Sequence, residues 1–109
     1  MAIPHARSGQ VIDVRPHGPL FTEERTVALF KTEDLEVIRL VLPAGKAMAP
    51  HKVAGEITIQ CIEGRIDVTL DGESRILDSG QLIYLARDVV HGVMAIEDAS
   101  VLVTIALRR

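Results

Sequence analysis

Residues 45–64 read GKAMAPHKVAGEITIQCIEG, and the alternation inside this stretch decides the fold. It opens and closes on glycine, carries His51 and Glu56, and bends at Ala54-Gly55. The run 57–62 that follows has a period of two, which a strand imposes because successive side chains point to opposite faces. His51 and Val53 then share a face of the incoming segment, and Glu56, Thr58, Gln60 and Ile62 share one face of the returning strand. Ile57, Ile59 and Cys61 form its wholly apolar other face. With His51, Glu56, Thr58 and Gln60 turned inward, four polar groups occupy an interior, each costing about 1–3 kcal/mol if left without a partner. Such a set is expected to bond to itself, hold water or bind a ligand. The face Ile57, Ile59 and Cys61 is then expected on the outside, where an apolar patch is covered by another strand or by a second copy of the chain. A homodimer is the expected assembly.

Outward from this stretch the chain keeps the same short rhythm. Strand patterns are read at 10–14, 25–31 and 35–42, the last two joined by the polar turn Thr32-Glu33-Asp34 into a hairpin. Downstream, 65–70 alternates strictly, and Asp71-Gly72 is a two-residue hairpin signal because both positions tolerate positive φ. Further strands are predicted at 73–77, 82–85, 90–96 and 100–107, with turns at Asp78-Ser79-Gly80, Ala86-Arg87-Asp88 and Glu97-Asp98. About ten short strands with a turn every six to ten residues, and no helical periodicity over three turns, predict an all-β sandwich, jelly roll or small barrel. Residues 1–9 read as a loose lead-in, and Pro16-His17-Gly18-Pro19 as an exposed turn. His5 and His17 fall in these loops and are read as solvated.

The bulk composition bounds the function. A chain of 109 residues, 48% hydrophobic and 25% charged, is one domain with a core, spanning 1–109. A net charge of -3 and a pI near 5.7 give no basic footprint, and 3% aromatics with no Trp give no stacking platform, so nucleic acid is not an expected partner. No apolar run approaches the roughly 18 residues of a membrane helix, and no secretory signal is expected from the start of the chain. Cys61, the only cysteine, suits a reducing cytoplasm.

His91 lies forty residues beyond His51, also between short apolar runs. Two imidazoles and one carboxylate, His51, His91 and Glu56, are a donor set that non-haem iron and zinc accept. The same residues equally make a hydrogen-bonded pocket without metal, in which Glu56 is a candidate general base. Tyr84, the only tyrosine, is read as a pocket-wall aromatic with a bonded hydroxyl. Lys46 and Lys52 flank His51 and would either draw an anion to the mouth or stay solvated.

The chain resembles the small single-domain cupins, jelly-roll β-barrels also called double-stranded β-helices. The first cupin motif is Gly, five residues, His-x-His, a few residues, Glu, six or seven residues and Gly, and Gly45, His51, Glu56 and Gly64 fall in place within 45–64. The second motif, within 80–95, is matched by Gly80 and His91. Val53 stands where the first motif has its second His, Ala86 and Asp88 where the second has Pro and Gly, and Ala95 where it has Asn. The resemblance implies a metal held by three His and one Glu. Here it leaves His51, Glu56 and His91 for a divalent iron, manganese, nickel or zinc ion, with Gln60 at the next inward position. It therefore implies a pocket of His51, Val53, Thr58, Gln60, Tyr84 and His91 for a small molecule. Either a metal-dependent enzyme or a binding and sensing barrel without metal follows from it, and cupins of both kinds commonly dimerise.

Overall fold

The computed structural model describes residues 5–107. Among these residues a short 3-10 helix, Gly18–Glu23, with Pro19 in its first turn, precedes seven strands. These are β1 (Val27–Lys31), β2 (Leu35–Leu42), β3 (Ala47–His51), β4 (Ile57–Leu70), β5 (Glu73–Asp78), β6 (Leu82–Leu85) and β7 (His91–Ala106). They form one antiparallel sheet in the order β1-β2-β7-β4-β5, with β3 added to β7 and β6 to β4. The sheet is rolled into the cupin-type jelly roll that the sequence predicts.

Local chemistry sets the turns. Thr32 Oγ1 accepts from the N–H groups of Asp34 and Leu35 and closes the β1–β2 hairpin. Asp71 and Gly72, at φ 50° and 81°, make the mirror-image turn whose twist matches its flanking strands, so β4 and β5 pair from Leu70↔Glu73 to Arg65↔Asp78.

The strand count differs from expectation because two predicted breaks are bulges. The runs 57–62 and 65–70 are one strand, β4, and 90–96 with 100–107 are one strand, β7. The register between them shifts around Glu63 and Arg65, opposite Glu97 to Ser100. An extra residue bends a strand without ending its ladder. Gly64 makes this possible: its φ is 80°, and a Cβ there would lie 2.0 Å from the Asp98 carbonyl oxygen. The segment 10–14 forms no strand.

The core lies between the faces of the roll and contains Ile57, Ile59 and Cys61 of β4, 4%, 1% and 0% exposed. The expected parity of this strand is therefore reversed. Thr58, Gln60 and Ile62 lie on its outer side and are only partly buried. The physical reason is direct. Burying an aliphatic side chain stabilises by about 1.5–3 kcal/mol, whereas burying Thr58 and Gln60 would require partners for each polar atom. The expected apolar outer face of Ile57, Ile59 and Cys61 is a face of the core and offers nothing to a second subunit.

Outside the roll, the segment leading into and through the 3-10 helix is pinned by a buried ion pair. Arg39, 5% exposed, donates to the Arg15 carbonyl at 2.6 Å and to Ser100 Oγ at 3.1 Å, with its nitrogen 3.6 Å from Glu63 Oε2. Glu63 in turn accepts from the N–H groups of His17 and Gly18 and from Ser100 Oγ. His17 thus belongs to this latch and is half-buried, contrary to the solvated position read for it.

Candidate ligand site at the barrel mouth

Two strand ends bring the histidines together. His51 is the last residue of β3 and His91 the first of β7, and the two are direct register partners. Their ring centroids are 4.6 Å apart at an interplanar angle of 49°. Each ring is oriented by the carbonyl two residues earlier, His51 Nδ1 by Ala49 at 3.1 Å and His91 Nδ1 by Val89 at 3.0 Å. A carbonyl only accepts, so each Nδ1 carries its proton and Nε2 is the nitrogen left for a ligand. His91 is buried at 2% exposure, while His51 is exposed at the rim.

Both rings line a cavity of about 80 Å³ inside the roll. Its remaining walls are aliphatic or thioether side chains, among them Ile38 and Leu40 of β2, Ile57 and Ile59 of β4, and Val93 and Val103 of β7. Among the described residues the two imidazoles are the only polar side chains on this cavity.

The other residues read as pocket or metal groups lie elsewhere. Glu56 is exposed, and its Oε2 accepts from the Tyr84 hydroxyl. Tyr84 stands opposite Thr58, and Gln60 opposite Leu82, so Tyr84, Thr58 and Gln60 share the outer side of the β4–β6 pair. Tyr84 is 58% exposed, not a wall of the inner pocket. The hydrogen bond to Glu56 pushes its phenol above the usual value, with burial and the Glu56 charge adding to this. Val53 is half-buried against the core, and its carbonyl accepts from Asp88 N–H at 3.0 Å, which ties the two loops of the mouth together without adding a donor side chain.

The donor set for a metal is thereby divided. Nδ1 anchored on a carbonyl with Nε2 left over is the arrangement that suits a metal-ligating imidazole. The carboxylate does not converge with it, and among the described residues no three His, Cys, Asp or Glu side chains are grouped to hold a metal ion. The residues present do not fit the three-ligand set.

The aliphatic lining was missed because it is read from the opposite parity of β4. The signal was present in the sequence, since Ile57, Ile59 and Cys61 are the apolar alternates and apolar alternates face inward. Residues 38–106 match the family model for the cupin domain. The chain belongs to the cupin family. Among curated proteins this cupin is similar to the pectin degradation protein KdgF of Dickeya dadantii (strain 3937), 30% identical over 73 residues. That match spans 66% of either chain, just under two thirds. Among solved structures it is similar to KdgF from Halomonas sp., with a TM-score of 0.69, 27% identity, and coverage of 77% of this chain and 78% of that one. The conserved SPY1581 protein of unknown function from Streptococcus pyogenes superposes with a TM-score of 0.77 at 20% identity, covering 100% of this chain and 96% of that one, a likeness of fold alone.

Proposed function

We propose that this cupin binds a small organic molecule at the barrel mouth, its apolar part in the aliphatic cavity and a hydroxyl or acid group on Nε2 of His51 and His91. One observation carries this: among the described residues the two imidazoles are the only polar side chains on an otherwise apolar cavity. A pocket that is mostly apolar with a few convergent polar groups is the usual form of a small-molecule site. Proton transfer to or from a ligand oxygen is the chemistry that Nε2 would support. The relative named for pectin degradation acts in a carbohydrate process, and a hydroxyl-rich sugar would find few partners on aliphatic walls. The test is a titration with small phenols and short carboxylates, followed by the NMR signals of the imidazole C–H groups. The signals of His51 and His91 are expected to move together, with binding lost in His91→Ala. If no probe at millimolar concentration moves them, the proposal fails.

A second reading has one observation of its own, the two Nδ1–carbonyl bonds that leave both Nε2 atoms free. On it a divalent iron, manganese, nickel or zinc ion would be held by His51 and His91 and completed by water or ligand oxygens. Glu56, as third ligand or as general base, would first have to leave Tyr84. Metal analysis of protein purified without chelator or a His-tag, beside His51→Ala and His91→Ala, decides between the readings. Stoichiometric metal lost in both variants favours the second.

We also propose a homodimer, now through the outer sheet face, where Ile76, Leu82 and Tyr84 are 50%, 57% and 58% exposed. Sedimentation as a monomer at micromolar concentration would rule it out. Among the described residues no helix is long and apolar enough to cross a membrane. The lone free thiol of Cys61 suits a reducing compartment such as the cytoplasm.

A further inference from the structure

A cavity of about 80 Å³ holds little more than two or three waters at about 30 Å³ each. Ligand sites for organic molecules run from about 300 to 1,000 Å³. The space that the His pair lacks lies directly beside it. Strand β1 stops at Val27, opposite Arg39, so beyond that point β2 has no partner strand on this edge. Thr26 Oγ1 accepts from Val41 N–H in its place. The result is an open groove of about 540 Å³ between β2, the start of β3 and the 3-10 helix, whose one buried residue, Phe21, forms part of its wall. Leu40 and Met48 line both this groove and the cavity beneath the imidazoles. They are the partition between the two.

The groove has its own charge pattern. Among the described residues four ionisable side chains line it: Glu24, Arg25, Lys46 and Asp98. Both acids have partners. Asp98 Oδ1 accepts from Ala44 N–H at 2.8 Å, and Glu24 Oε1 lies 3.7 Å from His17 Nδ1. Among the described residues the side chains of Arg25 and Lys46 have neither an ion pair nor a hydrogen bond. Two unpaired cations over a floor of Leu40, Leu42 and Met48 suit an anion that carries an apolar chain.

We infer that the groove and the cavity are two halves of one site for a medium-chain hydroxycarboxylate, its acid group held by Arg25 and Lys46 and its far hydroxyl passing Met48 to reach Nε2 of His51 and His91. Met48 is half-buried, and a methionine has three rotatable side-chain bonds and a deformable thioether, so a rotamer change opens the partition without moving a strand. Leu40, 7% exposed in the core, stays as the fixed side of the passage. This inference rests on the His pair as the ligand-binding centre, and it adds the ligand class and the direction of entry.

The experiment is a binding series with straight-chain carboxylates from acetate to octanoate, their terminal-hydroxy counterparts and the matching primary alcohols, measured by calorimetry and by the imidazole C–H signals of His51 and His91. Carboxylates are expected to gain up to about fourfold in affinity per methylene once the chain enters the apolar floor. The variant Arg25→Ala with Lys46→Ala is expected to bind octanoate about tenfold more weakly and octanol unchanged, as two exposed ion pairs would give. Met48→Phe is expected to keep carboxylate binding in the groove but to abolish the shifts at His51 and His91. Equal affinities for acid and alcohol, an unchanged affinity in the double variant, or no carboxylate binding at millimolar concentration overturns the inference. Imidazole shifts with short phenols that ignore the groove variants would sink the inference and leave the His-pair site standing. Carboxylate binding that never reaches the imidazoles would overturn the two-part site, and the His-pair reading would fall with it only if no phenol moved their signals either.

Discussion

Replacing Glu63 by Gln removes one charge from the latch while keeping its shape and one carbonyl-type acceptor. Its partner Arg39 is 5% exposed and its own side chain 16% exposed, so little water is available to take over the lost charge. Removing one partner of a buried pair costs about 3–5 kcal/mol. The N–O distance of 3.6 Å is long for an ion pair, and Ser100 Oγ, 2.7 Å from Glu63 and 3.1 Å from Arg39, carries part of the contact. We therefore expect a loss of about 2–3 kcal/mol, at and just below the bottom of that range. At about 4–8 °C per kcal/mol for a domain of this size, Tm should fall by roughly 10–20 °C.

The pH dependence gives a second handle on the same group. Burial pushes the Glu63 carboxyl up, yet the hydrogen bonds from Ser100 and from the His17 and Gly18 N–H groups together hold it below the usual carboxylate range. A depressed folded value means that this stability is fully present above the unfolded value, about 4.3 for Glu, and is lost as pH falls through the folded value. The gap between wild type and Glu63→Gln, measured by urea unfolding, should be full at pH 7 and close on acidification below about 4.3. Trypsin should also cut faster after Arg25 in the variant, because the segment leading to it is held by this latch. A loss under about 0.5 kcal/mol at pH 7, or a gap that does not change with pH, would refute the reasoning. Arg39→Met combined with Glu63→Gln should lose less than the two single changes added, as a direct coupling requires.

Tyr84 is the only tyrosine, so an absorbance titration reads it alone; its midpoint should lie above that of a free phenol and fall toward the ordinary value in Glu56→Ala, and an unshifted wild type would show that Glu56 does not hold this hydroxyl. Cys61 is fully buried and burial pushes its thiol up, with nearby Asp78, Glu63 and Glu97 adding to this, so iodoacetamide should modify it only at the rate of unfolding; prompt labelling of the native protein would contradict that. Gly72→Ala, with open space around the new Cβ, should cost about 1–3 kcal/mol from its left-handed backbone alone. Gly64→Ala adds a collision with the Asp98 carbonyl and should lose far more, so equal melting temperatures for the two variants would refute the account of the bulge.

The hairpins were legible because their signals are local: Thr32 closing one turn and Asp71-Gly72 the other depend on residues within a few positions. The bulges were not, because Glu63-Gly64 and Glu97-Asp98 look like turns in isolation. Only the pairing of β4 with β7 shows that each continues its strand. His51 and His91 were legible as a pair because both stand beside turns at strand ends, where a cross-strand register can bring distant residues face to face. Glu56 was placed with them on motif spacing, and spacing fixes position along the chain but not the direction of a side chain. A period of two states that Glu56, Thr58 and Gln60 share a side and that Ile57, Ile59 and Cys61 share the other, and it leaves open which side is inside. Energetics closes that choice. Three aliphatic or thiol side chains at or below 4% exposure are worth several kcal/mol inside, about 1.5–3 for each aliphatic one, whereas the polar alternates keep their hydration at no cost outside. The same force that reversed the parity left the cavity, among the described residues, without polar side chains other than the two imidazoles, and so put an apolar space rather than the Glu56 carboxylate beneath them.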